Sequence, residues 1–230
     1  DIVVAPDGTG DYTSIQNAID NANSGDRVKV KPGTYEQHTD VDKNITLYAP
    51  SGATIANTST VASEYSKDEI RSGFQIYGDV TPTISGFTLT DWRWAVSAGG
   101  SKANWTVKNT RFKTTPENNA GIEARNSQTG TVSNVTFRGN ATGNNNYVDL
   151  YIGGGTVEDV VMRDRARRFD GIWIDQQENI DSPPSLKFEN LTLEGFTVEG
   201  FQSGEAIRLS GDDHYLSSIE IANSTIRNSG

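Results

Sequence analysis

Val132-Ser133-Asn134-Val135-Thr136-Phe137 is one copy of a pattern, apolar–x–(Asn/Gly/Asp)–x–x–apolar, that the chain repeats six times. Upstream stand Val107-Lys108-Asn109-Thr110-Arg111-Phe112 and Ile84-Ser85-Gly86-Phe87-Thr88-Leu89. Downstream stand Val157-Glu158-Asp159-Val160-Val161-Met162, Phe188-Glu189-Asn190-Leu191-Thr192-Leu193 and Ile221-Ala222-Asn223-Ser224-Thr225-Ile226. The central residue falls at 86, 109, 134, 159, 190 and 223, in steps of 23, 25, 25, 31 and 33 residues. A recurrence of this length with short strand-like units is the mark of a solenoid. Each unit reads as two short strands joined at one residue, and Asn, Gly and Asp share the ability to take a left-handed backbone. Successive turns would stack those residues in one column. The pattern predicts an all-β chain, a right-handed parallel β-helix.

The amino-terminal residues are of another kind. Ile2-Val3-Val4 reads as a strand, and Pro6-Asp7-Gly8-Thr9-Gly10-Asp11 as a turn-rich loop. Thr13 or Asp11 is placed to cap a helix whose Ile15, Ala18, Ile19 and Ala22 form one apolar stripe. Gly25 ends it, Arg27–Lys31 alternates like a strand, and Pro32-Gly33 turns the chain. A short amphipathic helix ahead of stacked coils would cover the open core and unpaired edge of the first coil. The division expected is one domain over 1–230, with the opening strand and capping helix in 1–35 and coils in 36–230. Residues 51–73 break the period and read as a polar excursion, as do 139–146 and 176–184. The last repeat ends without an amphipathic cap, which would leave that coil open to further chain or to self-association.

Composition narrows the classes of function. The chain has 230 residues, 34% hydrophobic, as suits the thin core of a β-helix. It has no cysteine, which excludes disulfides and Cys-based metal sites. A net charge of −10 argues against a nucleic-acid partner, and no apolar run reaches membrane-spanning length. The two histidines, His38 and His214, lie too far apart in a solenoid for a His-based metal site or triad. No signal-like segment precedes Asp1, as in a mature extracellular or cell-surface chain. Seven Asn-x-Ser/Thr sequons occur. Asn134, Asn190 and Asn223 belong to the recurring column, where inward-facing amides would bond along the stack and carry no glycan. Asn57, Asn104 and Asn140 are the expected glycosylation sites of a glycoprotein.

The segment VAPDGTGDYTSIQNAIDNANSGDRVKVKPGTYEQ (4–37) resembles the amino-terminal segment of pectin methylesterases and of many secreted pectate-lyase-like β-helix proteins. The resemblance implies the same fold, entered through the same loop, helix and Gly-Thr-Tyr turn. In that family two aspartates on successive coils, preceded by glutamines, act with a downstream arginine in an Arg-x-Trp setting. Asp149 in Tyr147–Tyr151 and Asp170 in Phe169–Ile172 resemble the two aspartates. The sequence departs at Val148, at Gly121-Ile122-Glu123, and in having no Arg-Pro-Trp. Carbohydrate-esterase activity is what the resemblance implies.

Period-2 alternation in the strands between turn columns sorts the remaining polar residues. With Ile122, Ala124, Leu150, Ile152, Ile172, Ile174, Ile207 and Leu209 inward, the outward set is Glu123, Arg125, Asp149, Tyr151, Trp173, Asp175 and Arg208. Stacked at ~4.8 Å per strand, these form one lateral patch. Tyr151, Trp173 and Arg125 would bind a polysaccharide or glycan, rings on sugar faces and guanidinium on hydroxyls or carboxylates. Asp149, Asp175, Glu123 and Arg208 are the candidate catalytic groups. Paired carboxylates ~5–9.5 Å apart would serve a glycoside hydrolase. With calcium neutralising a uronate and arginine as base, the same patch would serve a lyase. A polysaccharide-binding module using this face without chemistry is the other reading. The basic run Arg163–Arg168 could grip an acidic polymer, or be a solvated turn with Asp164 among its charges.

Overall fold

The computed structural model describes residues 1–58, 72–92, 94–98, 104–113, 121–124, 129–138, 147–163, 169–175, 185–194, 207–210 and 218–227. The order begins β1 (Ile2–Val4), α1 (Ile15–Asn21), β2 (Arg27–Val30), β3 (Thr34–Tyr35), β4 (Thr39–Val41), β5 (Thr46–Ala56), β6 (Ser72–Ile76), β7 (Thr83–Thr90), β8 (Trp94–Ser97) and β9 (Asn104–Lys113). It continues with β10 (Ile122–Ala124), β11 (Thr129–Arg138), β12 (Tyr147–Ile152), β13 (Gly155–Arg163), β14 (Phe169–Asp175), β15 (Ser185–Glu189), β16 (Thr192–Glu194), β17 (Ile207–Ser210), β18 (Ser218–Ala222) and β19 (Thr225–Arg227). The strands fall into two parallel sheets, and from β4 to β15 they alternate between them. A long-strand sheet runs β1-β2-β5-β7-β9-β11-β13-β15-β18, and a short-strand sheet runs β4-β6-β8-β10-β12-β14-β17. β3, β16 and β19 also belong to the long-strand sheet, as the parts beyond the bend where a coil's long strand is interrupted, and the core lies between the two sheets.

The recurring column is the bend within each long strand. Asn109, Asn134, Asp159, Asn190 and Asn223 all have φ between 50° and 54°, and Gly86 has φ of 86°. Asn134 Nδ2 donates to Asn109 Oδ1 at 2.8 Å, and Asn190 Nδ2 to Asp159 Oδ1 at 3.0 Å. The expected bonding along the stack is present, but the expected inward direction is not. These side chains are exposed, because the left-handed residue sits on the convex corner while its apolar neighbours Val132 and Val135 turn into the core. Gly86 opens the column for a separate reason: a Cβ there would lie 2.3 Å from the Ala49 carbonyl oxygen.

Inside the bend, identical registers stack like on like. Leu89, Phe112, Phe137 and Met162 form one inward ladder. The rings of Phe112 and Phe137 stack at 4.7 Å between centroids, 11° from parallel. Ile84, Val107, Val132, Val157 and Phe188 form a second inward ladder.

The amino-terminal helix forms as its stripe requires, with Ile15, Ala18 and Ile19 buried. Its cap is Ser14, whose Oγ accepts from Asn17 N, rather than Thr13 or Asp11. Asp11 instead accepts from Val3 N at 2.7 Å and fastens the loop to β1. Lys43 Nζ donates to the carbonyls of Ile19, Asp20 and Ala22 at 2.8–3.0 Å, satisfying the helix C-terminus. The Gln16 amide meets the backbone of Asp40 on the edge strand β4: Asp40 N donates to Gln16 Oε1 at 2.7 Å and Gln16 Nε2 to Asp40 O at 3.4 Å. One side chain so stands in for a missing strand.

The break expected over 51–73 begins later than expected. Thr54, Ile55 and Ala56 pair with Thr88, Leu89 and Thr90, and the register shifts between Tyr48 and Ala53. β5 is therefore another copy of the repeat. Residues around Pro50-Ser51-Gly52 are inserted at its bend, which hid it from a fixed spacing. The rest of that excursion, 59–71, lies outside the described residues, as do 139–146 and 176–184.

Candidate functional site on the short-strand sheet

Pairing along the short-strand sheet lines up one outward ladder column. Asp40 lies opposite Gln75, Gln75 opposite Ser97, and Ser97 opposite Glu123. Glu123 lies opposite Tyr151, Tyr151 opposite Trp173, and Trp173 opposite Arg208. The column on one side of it is the core ladder Phe74, Val96, Ile122, Leu150 and Ile172, every member buried. Four of the seven candidate residues, Glu123, Tyr151, Trp173 and Arg208, thus share a single column.

The described half of this column is a hydrogen-bonded chain. His38 Nδ1 lies 2.6 Å from the Ser72 carbonyl oxygen, which can only accept, so this nitrogen carries a proton. His38 Nε2 lies 2.9 Å from Asp40 Oδ1. Ser72 Oγ donates to Gln75 Oε1 at 3.0 Å, and Gln75 Nε2 to the Ser97 carbonyl at 3.4 Å. Ser97 Oγ donates to Glu123 Oε2 at 2.7 Å in a buried bond. Beside Asp40, partial burial holds the Tyr77 phenol above its ordinary pKa, helped by the Asp40 charge and a hydrogen bond to it.

Glu123 and Tyr151 were expected as solvent-facing groups, and both are buried, at 7% and 5% exposure. They stand on the opposite side of their strands from Ile122, Ala124, Leu150 and Ile152, so their alternation is as expected. Parity fixes the side of the sheet, whereas exposure depends on what packs over that side. Glu123 is consequently a carboxylate fixed by Ser97 rather than a group displayed to water.

The register spreads the backbone positions of the candidate acids along the strands. Asp149 is two residues before Tyr151, and Asp175 two after its partner Trp173. Four residues along the strands and one strand across put their Cα atoms ~14 Å apart. Glu123 and Asp149 differ by two residues on neighbouring strands, a Cα separation of ~8 Å. Arg208 and Asp175 are related in the same way. The side chains of Asp149, Trp173, Asp175 and Arg208, and all of Arg125, lie outside the described residues. Among the described residues, no three His, Asp or Glu side chains cluster closely enough to hold a metal ion. No helix there is long and apolar enough to cross a membrane.

Asp40, Gln75 and Ser97 extend the column towards the amino end, and His38 and Ser72 are hydrogen-bonded beside it; none of the five is among the seven candidate residues. The signal was present in the alternation of Thr39-Asp40-Val41 and Phe74-Gln75-Ile76. It could not be joined to the later coils while the 51–73 break left the register open.

Comparison with known proteins adds the handedness of the coil. No family model matches the chain, and no curated protein matches it. Among solved structures, the pectin methylesterase from carrot is similar over 100% of this chain and 84% of its own, at 11% identity and a TM-score of 0.53. The pectin methylesterase from Aspergillus niger, in deglycosylated form, is similar over 100% of this chain and 86% of its own, at 10% identity and a TM-score of 0.50. The fold is a right-handed parallel β-helix. At these identities the likeness is one of fold. The two aspartates matched by resemblance do not share a column here: Asp170 lies opposite Val148, in the column next to Asp149 and in line by parity with core residues Leu150 and Ile172.

Proposed function

We propose that the chain is an extracellular β-helix module that binds a polysaccharide strand along the outer side of its short-strand sheet. The observation that supports this is the column Asp40–Gln75–Ser97–Glu123–Tyr151–Trp173–Arg208, in continuous register across seven strands. Carboxylate, amide, hydroxyl, aromatic and guanidinium groups at ~4.8 Å intervals match a polymer that presents hydroxyls and ring faces in turn. In this reading Trp173, Arg125, Asp149, Asp175 and Arg208 contact the sugar. The buried Glu123 and Tyr151 hold the floor beneath them, with Ser97 fixing the carboxylate.

Affinity electrophoresis and calorimetry over a panel of neutral and uronate polysaccharides test the proposal. Trp173→Ala should weaken binding of the preferred polymer about tenfold, the loss of one aromatic stacking partner, ~1.4 kcal/mol. Absence of binding to every member of the panel, or an unaltered affinity in Trp173→Ala, would sink it.

The ~8 Å Cα separation of Glu123 and Asp149 favours a second reading, a lyase or hydrolase working in the same place, with Arg208 beyond Trp173 as the candidate base. Incubation with the same panel, with and without calcium, distinguishes the two. New reducing ends or unsaturated products, abolished in Asp149→Asn, would replace the binding-only reading with the enzymatic one.

A further inference from the structure

The outer side of the long-strand sheet carries a concentration of charge opposite in sign to the rest of the chain. Beyond the bend, the outward positions of β7, β9, β11 and β13 run as two ladder columns, from Thr88 and Thr90 to Val161 and Arg163. Of these eight positions four are cationic (Arg111, Lys113, Arg138 and Arg163) and none is acidic. The chain as a whole has 20 basic and 30 acidic residues, so the bias runs against its composition. Lys113, Arg138 and Arg163 are consecutive in one column, three cations at ~4.8 Å steps. Directly opposed like charges destabilise a sheet, and stacking alone gives no reason to choose them. Arg165, Arg167 and Arg168 follow in the sequence.

A groove adjoins this stripe. The inserted residues Pro50, Ser51 and Gly52 stand at one end of it, the amides of Asn109 and Asn134 line it, and Arg111 lies between Thr88 and Thr136 in it. Its volume is about 450 Å³, in the range of small-ligand sites. The lining offers hydroxyl, amide and guanidinium groups, and its one aromatic residue, Phe87, is buried in the core.

We infer that this groove and the Arg111–Lys113–Arg138 stripe form a second binding surface, for an acidic polysaccharide strand bearing carboxylates or sulfates. The cations take the anionic substituents, and the Asn and Thr groups take the hydroxyls between them. A sugar polymer fits better than a nucleic acid. Among the described residues that line the groove, no ring is exposed for base stacking.

The test measures binding of the full chain to polygalacturonate, dextran sulfate, neutral dextran and poly(dT) at about 0.1 M salt. Wild type and the double variant Lys113→Gln/Arg138→Gln are compared, each also in a Trp173→Ala background so that strands held by the short-strand sheet are not counted. Unfolding midpoints measured alongside separate a loss of binding from a loss of folding. At least one acidic polymer should bind, about tenfold more weakly in the double variant and with a shallower salt dependence. Polygalacturonate alone would identify carboxylates as the anion, and dextran sulfate alone would identify sulfates. Neither acidic polymer binding, an affinity unchanged by the double variant, or poly(dT) binding at least as tightly would overturn the inference.

Discussion

On the long-strand sheet one outward column repeats a single residue type from coil to coil: Thr46, Thr83, Thr106, Thr131 and Thr156. On the short-strand sheet the outward column changes chemistry at every step, from Asp40 through Glu123 and Tyr151 to Arg208. Both columns meet the same backbone demand, a side chain that fits a parallel ladder. β-branched threonine meets it through local propensity and like-on-like packing. A buried glutamate hydrogen-bonded to a serine does not improve on that locally, since desolvating a carboxylate opposes folding unless its bonds are made. Regular columns specify the coil, and irregular ones mark where some further requirement has acted.

The comparison can be broken most directly in the regular half. Phe112→Ala removes a ring stacked between Leu89 and Phe137, and should lower unfolding free energy by about 3–5 kcal/mol in urea titration. A loss below about 1 kcal/mol would mean that the ladder of like residues is not what holds the coils together.

A smaller effect is expected at the bend. Asn134 combines φ of 50° with a bond to Asn109. Asn134→Val forfeits both and should cost about 2–3 kcal/mol, whereas Asn134→Gly keeps the left-handed backbone at ease and should cost about 1 kcal/mol. Equal losses for the two, read from thermal melts, would show that the conformation is not the reason for asparagine there.

The irregular half should respond least in stability. Ser97→Ala deletes the donor to Glu123 Oε2 and should cost about 1 kcal/mol. If the column serves binding, the same substitution should change polysaccharide affinity by more than the melt implies. An altered melt with unaltered affinity would return Glu123 to a purely structural role.

The six copies around Asn134 were legible because each carries its own left-handed residue between apolar pairs, and the structure has all six bends with positive φ. The copy in β5 was not legible. An insertion at its bend changes the spacing without disturbing the ladders on either side. Side-of-sheet assignments at Glu123 and Tyr151 followed from alternation, but their burial did not, because it depends on packing from outside the strand. The ring of Trp105 shows the same limit. It lies where a Cβ on Gly130 would meet it at 2.1 Å, so glycine is required by its ladder partner on the preceding coil.

By itself the sequence determined the parallel β-helix, its bend column, the capping helix and the residue type at each ladder position, since these rest on local periodicity and backbone preference. Only the tertiary structure decided the register. That register joined His38 to Glu123, separated Asp149 from Asp175, and drew Arg111, Lys113, Arg138 and Arg163 into one stripe. Register is set by the lengths of the intervening turns and insertions, which leave no periodic trace. It alone determines which side chains of different coils become neighbours.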